Sequence, residues 1–394
     1  MILAHRIALD PNDLQRTYFA KACGTARFAY NWALAEWERQ YAAGEKPNEG
    51  ALRRVLNAIK RESFPWMLEV TKCAPQAAIQ DLGVAFKNFF AKRAKYPKFK
   101  KKGKSKDKFS LSNDQFYVED AGVHIPRIGF IRMFEPLRFV GKITSAVISR
   151  TADRWFVSIA VEVPDKPPVK NQDVVGVDLG ITKLATLSTG EKIAGPKPHK
   201  VLLGRLRRLS RAQSRKQKGS SNKRKATMKL ARLQARIANI RRDALHKLTT
   251  ILATSFGVIG IENLNVAGMV KNHHLARAIS DMGFFEFRRQ LEYKARMRGG
   301  QVVVVDRFFP SSKLCSDCGS AAGEMPLSIR AWTCGNCGAA HDRDVNAAIN
   351  LKNMAVSSTV SVCGEGSSGT SRKARVKLSS TKQKLGVEPV VRYA

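Results

Sequence analysis

Acidic residues are scarce in this chain. Lys and Arg total 69 against 32 Asp and Glu, a formal net charge of +37. A charge of that size repels itself in a compact state, so it is useful mainly beside a polyanion. Nucleic acid fits best, because each neutralised phosphate releases counterions and adds affinity. Long apolar runs are missing as well. None approaches the ~20 residues needed to span a bilayer, and the opening "MILAHRIALDPND" lacks the charged-then-apolar layout of a secretory signal. Disulfide-type cysteine spacing is also absent. Four of the seven cysteines form two C-x-x-C pairs, while Cys23, Cys73 and Cys363 are scattered. That usage excludes a disulfide scaffold and indicates metal chemistry in a reducing cytoplasm.

What is present has the length for two or three domains, and 44% apolar residues to fill their cores. "ILAHRIAL" reads as a strand stopped by Asp10-Pro11-Asn12, and the pattern to about residue 94 is helical, with Pro75 suited to a first helical turn. Residues 87–108 carry eleven Lys or Arg against one acid, with Phe89, Phe90, Tyr96 and Phe99 interleaved. Aromatics among positive charges point to contact with phosphates and bases. Short β signals fill 109–164, ending in the near-alternating "RWFVSIAVEVP", and "DKPPVKNQ" reads as the main linker. Residues 200–247 hold seventeen Lys or Arg and one acid, Asp243, with Leu230, Leu233, Ile237 and Ile240 forming an apolar seam. This is a helical hairpin broken near "KGSSNK". Arg207, Arg208 and Arg211 on one arm, and Lys223 and Arg224 on the other, are candidate phosphate contacts. From about 357 the chain turns Ser-, Gly- and Lys-rich and reads as a disordered tail.

Cys315-x-x-Cys318 and Cys334-x-x-Cys337, fifteen residues apart, have the spacing of a four-thiolate zinc ribbon. Four thiolates complete a tetrahedron, so one structural Zn²⁺ is expected, with His341 a polar neighbour rather than a ligand.

Three acids stand out against the basic background. Asp178 follows "VVGV" and Glu262 follows "VIGI", each ending an apolar strand where a buried charge is costly without a cation. A third lies in "HDRDVNAAINL", after the ribbon. Such a set suits Mg²⁺, and two ions ~3.5–4 Å apart can activate water and stabilise the leaving oxygen in phosphodiester cleavage. Asp342 fits a helix N-cap, leaving Asp344 in the first turn free to point elsewhere.

The order "GVDLG", "GIENL", "FFPSSKLCSDCG", "WTCGNCG", "HDRDVNAAINL" resembles the TnpB family of transposon-encoded RNA-guided DNA nucleases, relatives of type V CRISPR effectors. Weaker matches, "ARFAYNWAL" and "APQAAIQDLGVAFKNFF", extend the likeness to the N-terminal half. The resemblance implies a multidomain α/β chain. A helical recognition lobe (11–104) would be inserted in a β-barrel wedge domain (1–10 and 105–168). A RuvC-like, ribonuclease-H-type domain (169–308 and 342–356) would follow, with a zinc ribbon (309–341) inserted and a tail at 357–394. It further implies Asp178, Glu262 and Asp344 as the catalytic Mg²⁺-binding triad, a guide RNA and target double-stranded DNA as partners, and a prokaryotic, nucleoid-associated location. By position, "EVTKCAPQ" matches the segment approaching the short motif beside the target, making Lys72 and Gln76 candidates for contacting it. The same stretch also reads as an ordinary helix N-terminus with exposed polar residues. A non-cleaving regulator and a strand-joining transposase are the alternatives.

Overall fold

A computed structural model of the chain describes residues 1–164, 173–326 and 328–363. These form two compact units, one on each side of 165–172. The expected linker and the expected tail beyond 363 lie outside the described residues, while the first positions expected in the tail, 357–363, instead continue the last helix.

The first unit runs β1 (Ile2–Asp10), α1 (Asp13–Ala42), α2 (Glu49–Ser63), α3 (Cys73–Phe90), β2 (Lys108–Ser112), β3 (Tyr117–Glu119), β4 (Gly122–Ile125), β5 (Gly129–Met133), β6 (Lys142–Thr151) and β7 (Arg154–Glu162). The stop after β1 is Pro11, which has no N–H for a ladder. Asn12 then starts α1 through a capping box: its side chain accepts from Gln15 N (2.9 Å), and Gln15 Oε1 accepts from Asn12 N (3.0 Å). Gln15 Nε2 also donates to the carbonyls of Ile128 and Phe130, tying the helix to β5. Phe19, Ala22, Ala26, Ala29 and Ala33 recur at helical spacing and are buried, and Phe19 meets Trp155 of β7 at 5.1 Å between centroids. Helices and sheet share one core.

The strands of this unit are antiparallel in the order β2-β6-β7-β1-β5-β4-β3. They do not close into the expected barrel; β2 and β3 remain edges. Ser112 to Tyr117 spans at most ~18 Å, while seven flat strands would set the edges ~29 Å apart, so the sheet must curl. Its corner is held by the start of α3 rather than by a ladder. Thr71 Oγ1 bonds Gln115 Oε1 (3.3 Å), and Lys72 Nζ pairs with Asp114 (3.2 Å).

The second unit contains β8 (Val174–Asp178), β9 (Ala185–Leu187), β10 (Lys192–Ile193), α4 (Pro198–Val201), α5 (Leu203–Ser214), α6 (Ser221–Ser255) and β11 (Val258–Glu262). It continues through α7 (Val266–Met269), α8 (Ala276–Met282), α9 (Phe284–Met297), β12 (Gln301–Val305), β13 (Ala331–Thr333), β14 (Ala340–Asp342) and α10 (Arg343–Cys363). Its main sheet has the order β10-β9-β8-β11-β12, with β8, β11 and β12 parallel. Val175, Val177, Ile259 and Ile261 are fully buried against Leu248 and Leu252 of α6 and Phe287 and Leu291 of α9. The other face of the same strands carries glycines and receives α10.

Candidate active site

In β8 and β11, Val177 lies opposite Ile261. The next residue of each, Asp178 and Glu262, therefore stands at the same carboxyl end of the sheet. Strand side chains alternate, so each acid shares its face with the glycine two positions earlier. α10 presses on that face. A Cβ built on Gly176 would lie 1.8 Å from the Ala348 carbonyl oxygen, and one on Gly260 2.4 Å from that of Leu351. Asp344 is one helical turn before Ala348, which carries it to Asp178. The carboxylates load one another: burial first, then the charges of Asp344 and Glu262, push Asp178 up to about 7. Burial also raises Glu262. Half-buried carboxylates in mutual repulsion form a donor set that suits a hard divalent cation. Arg330 Nη1 lies 3.2 Å from Asp344 Oδ1, adding a positive group at the rim.

Asp342 has a different environment. Its Oδ1 accepts from the backbone N–H of Asp344 (3.2 Å) and Val345 (3.0 Å), and its Oδ2 pairs with Lys192 (2.6 Å). Burial opposes its charge, but Lys192 and these N–H groups outweigh it and hold the carboxyl below its usual range. Two residues of the same motif, Asn346 and Asn350, went unassigned in the sequence although both are buried. Asn346 Oδ1 accepts from Ser316 N (2.9 Å), and both side-chain amides donate to Leu314 O (2.7 and 2.6 Å). Asn350 also reaches Ser311 O (2.8 Å). They latch the first cysteine knuckle onto the helix that carries Asp344. Their signal was the asparagine pair at i, i+4 in "DVNAAINL", among alanines that leave the amides room.

The four cysteine sulfurs lie within 4.8 Å of one another, with Cys315–Cys337 and Cys318–Cys334 both at 3.7 Å. Zn–S bonds of ~2.3 Å give tetrahedral edges of about 3.8 Å, so the cluster is compatible with a structural zinc. Each knuckle ends in a left-handed glycine, Gly319 and Gly338 (both φ +74°), whose N–H returns to the first cysteine's carbonyl (2.9 Å in each). His341 stays outside the cluster, with Nε2 3.1 Å from Cys315 Sγ. Structural zinc typically contributes ~10–16 kcal/mol of apparent binding energy. Cys334→Ser is therefore expected to lose zinc, lower the melting temperature and impair the site through the asparagine latch. Elemental analysis and a thermal melt check this, and zinc-free wild-type protein would refute it.

The basic candidates divide between the units. Arg207, Arg208 and Arg211 on α5 and Arg224 on α6 are exposed, and Lys223 is half-buried. Leu233 and Ile237 are buried in the seam of α6, Leu230 is half-buried and Ile240 is 37% exposed. Ser220 caps α6 by accepting from Lys223 N (3.1 Å). Lys72 and Gln76 belong to the first unit, at the start of α3. Lys72 is exposed and paired with Asp114, and Gln76 is half-buried. The interleaved aromatics split in role. Phe89, half-buried, packs edge to face on Tyr96 at 5.2 Å, and both Tyr96 and Phe90 lean on Phe86, which stacks on Trp37, yet Tyr96, Phe90 and Phe99 all keep an exposed side.

Residues 158–273 match a family model described as a probable transposase, 284–351 a Cas12f1-like TNB domain, and 1–46 a helix-turn-helix domain. Over 1–46 the structure has β1 and the single 30-residue helix α1 instead of two helices. A Streptomyces pristinaespiralis protein named "Putative RNA-guided DNA endonuclease" is 40% identical, covering 96% of this chain and 95% of its own. Escherichia coli K12 InsQ, described in the same words, is 34% identical over 92% and 94%. A cryo-EM structure titled as a Cas12f1–sgRNA–target DNA complex aligns at TM-score 0.54 and 16% identity, over 86% of this chain and 83% of that one, a likeness of fold. Identity of this extent, along nearly the whole length, places the chain in the TnpB family.

Proposed function

We infer that the protein is an RNA-guided endonuclease that cuts double-stranded DNA beside a short adjacent motif. One observation carries the chemistry: Asp178, Glu262 and Asp344 converge where α10 lies on Gly176 and Gly260. Asp178, Glu262 and Asp344 would hold Mg²⁺, which supplies water activation and leaving-oxygen stabilisation when bound. The chain's own contribution is placement. The sheet fixes two carboxylates, the glycines set the depth of α10, and Asp342 and the asparagine latch fix where α10 begins. Arg330, which pairs with Asp344 at the rim, is assigned to a phosphate of the strand being cut.

The names of the relatives support RNA guidance, and so does the charge. The chain offers phosphate-binding charge in abundance, and among the described residues there is no evident compact element for reading a long sequence through base edges. Specificity then comes from pairing between a bound RNA and DNA, with the protein reading only a flanking motif. The helical segment 11–104 and the curled sheet are assigned to RNA and motif binding, with Lys72 and Gln76 as motif contacts. The hairpin α5–α6 is assigned to phosphates. The family description as a probable transposase favours one alternative, strand joining, which predicts recombinant products rather than broken ends.

The test is cleavage of plasmids carrying matched or mismatched sites, by protein purified alone or with its RNA. Changing the guide segment is expected to redirect cutting to the new complementary site when the motif adjoins it. Equal cutting of both plasmids, or sequence-specific cutting by RNA-free protein, would leave a plain nuclease.

A further inference from the structure

A cavity of about 110 Å³ lies in the first unit between α1, α3, β2 and the basic segment before β2. It exists because Ala26, Ala74, Ala77 and Ala78 leave space where larger side chains would fill it. Its polar lining is mostly cationic: Arg27, Lys100, Lys106 and Lys108 against the single acid Asp81, with the hydroxyls of Ser105 and Ser110. The acids nearby are already engaged. Asp81 pairs with Lys108 (3.2 Å), and Asp107 bridges Arg27 (2.6 Å) and Arg150.

Lys100 is the unusual member. Its backbone is clamped by Asn31, whose Nδ2 donates to Lys100 O (2.9 Å) and whose Oδ1 accepts from Lys100 N (2.8 Å). The ammonium lies 3.5 Å from the centroid of the Tyr30 ring. Among the described residues no carboxylate forms an ion pair with it; Asp81, paired with Lys108, offsets only part of its burial. A half-buried ammonium resting on a ring is incompletely compensated, since the aromatic face returns only part of the lost hydration. Burial accordingly pulls Lys100 down to about 8. An anion entering the cavity would supply the missing partner. The next turn shapes the mouth: Gly103 takes φ +78°, and Ser105 N returns to Lys101 O (2.9 Å). Lys101, Lys102 and Lys104 are exposed along this turn, a track for the phosphates on either side of one seated in the cavity.

We propose that this cavity seats one backbone phosphate of a bound nucleic-acid strand, with Lys100 as its buried counter-charge and Ser105 and Ser110 as hydroxyl donors. That the ligand is nucleic acid rests on the function proposed above. The guide RNA and the target DNA offer the same phosphodiester, so the test has two arms. In the first, the RNA that co-purifies with the full-length protein is titrated against wild type and Lys100→Met across a salt series. In the second, duplex DNA matching that RNA is titrated against the assembled ribonucleoprotein. Lys100→Met keeps the aliphatic stem and removes the charge. In the arm holding the phosphate, affinity is expected to fall about tenfold, the usual worth of one charge-assisted hydrogen bond. The slope of log K against log salt is expected to lessen there by ~0.7 for a single strand or ~0.9 for a duplex, and Lys100→Arg is expected to restore both. A thermal melt separates loss of binding from loss of folding. If Lys100→Met does not fold, Lys106→Ala at the exposed mouth serves in its place. Unchanged affinity and slope in both arms, with wild type still cutting under RNA guidance, overturns the phosphate site and leaves the functional reading intact. Wild type that neither binds RNA nor cuts would fail the functional reading instead.

Discussion

Asp178→Ala, Glu262→Ala and Asp344→Ala are each expected to abolish cleavage while leaving nucleic-acid binding in place. The three carboxylates meet at one end of one sheet, and Asp178 reports the crowding: it is pushed up to about 7 by burial and then by the charges of Asp344 and Glu262. Losing one donor from such a set removes transition-state charge stabilisation worth several kcal/mol, about a thousandfold or more in rate. Binding relies on different residues, since the exposed arginines of α5 and α6 are untouched by these substitutions. Asp342→Ala supplies the contrast. It removes a cap and the Lys192 pair, about 1 kcal/mol of stability for the cap, and should retain substantial cutting. Single-turnover cleavage and filter binding on the four variants decide the matter. A dead Asp342→Ala beside an active Asp344→Ala would reverse the assignment.

Much of this site could be read before any coordinates, because its parts are local. C-x-x-C-G is complete within five residues, and the knuckle's left-handed glycine is part of the motif. Asp342 as a cap follows from its place just before a helical pattern. The matching phrases Gly176-Val177-Asp178 and Gly260-Ile261-Glu262 also showed in the sequence, but the purpose of their glycines did not. It depends on the carbonyls of Ala348 and Leu351, far downstream. Asn346 and Asn350 were opaque for the same reason, since their partners are backbone atoms of a loop more than thirty residues earlier. In the first unit, local sequence could not show that Phe89 and Tyr96 pack on each other, with Tyr96 also meeting Phe86 while keeping one side exposed. Barrel closure is a property of the two edges of the sheet, and here β2 and β3 stay unpaired, with Thr71 and Lys72 bonded to the segment between them.

Gly176→Ala is expected to be nearly as damaging as loss of a carboxylate, although it removes no functional group. The added methyl would lie 1.8 Å from the Ala348 carbonyl oxygen and 2.5 Å from Lys352 N. Both are backbone atoms of a helix, so no side chain can swing away, and α10 itself must lift. Overpacking of this kind ordinarily costs about 1–3 kcal/mol. The larger consequence falls on Asp344, which rides on the displaced helix while Asp178 and Glu262 stay with the sheet. A misplacement of about 1 Å in a catalytic constellation can cost about a hundredfold. Gly260→Ala, 2.4 Å from the Leu351 carbonyl oxygen, is expected to act in the same direction. Gly204→Ala on α5 is the control, because nothing lies within 4 Å of its added methyl and alanine favours a helix over glycine by about 1 kcal/mol. Cleavage would be measured well below each variant's melting temperature, with RNA binding assayed in parallel. Gly176→Ala should bind RNA and cut poorly, whereas Gly204→Ala should do both normally. Wild-type cutting by Gly176→Ala, at an unchanged melting temperature, would mean that the depth of α10 does not set the geometry of the acids.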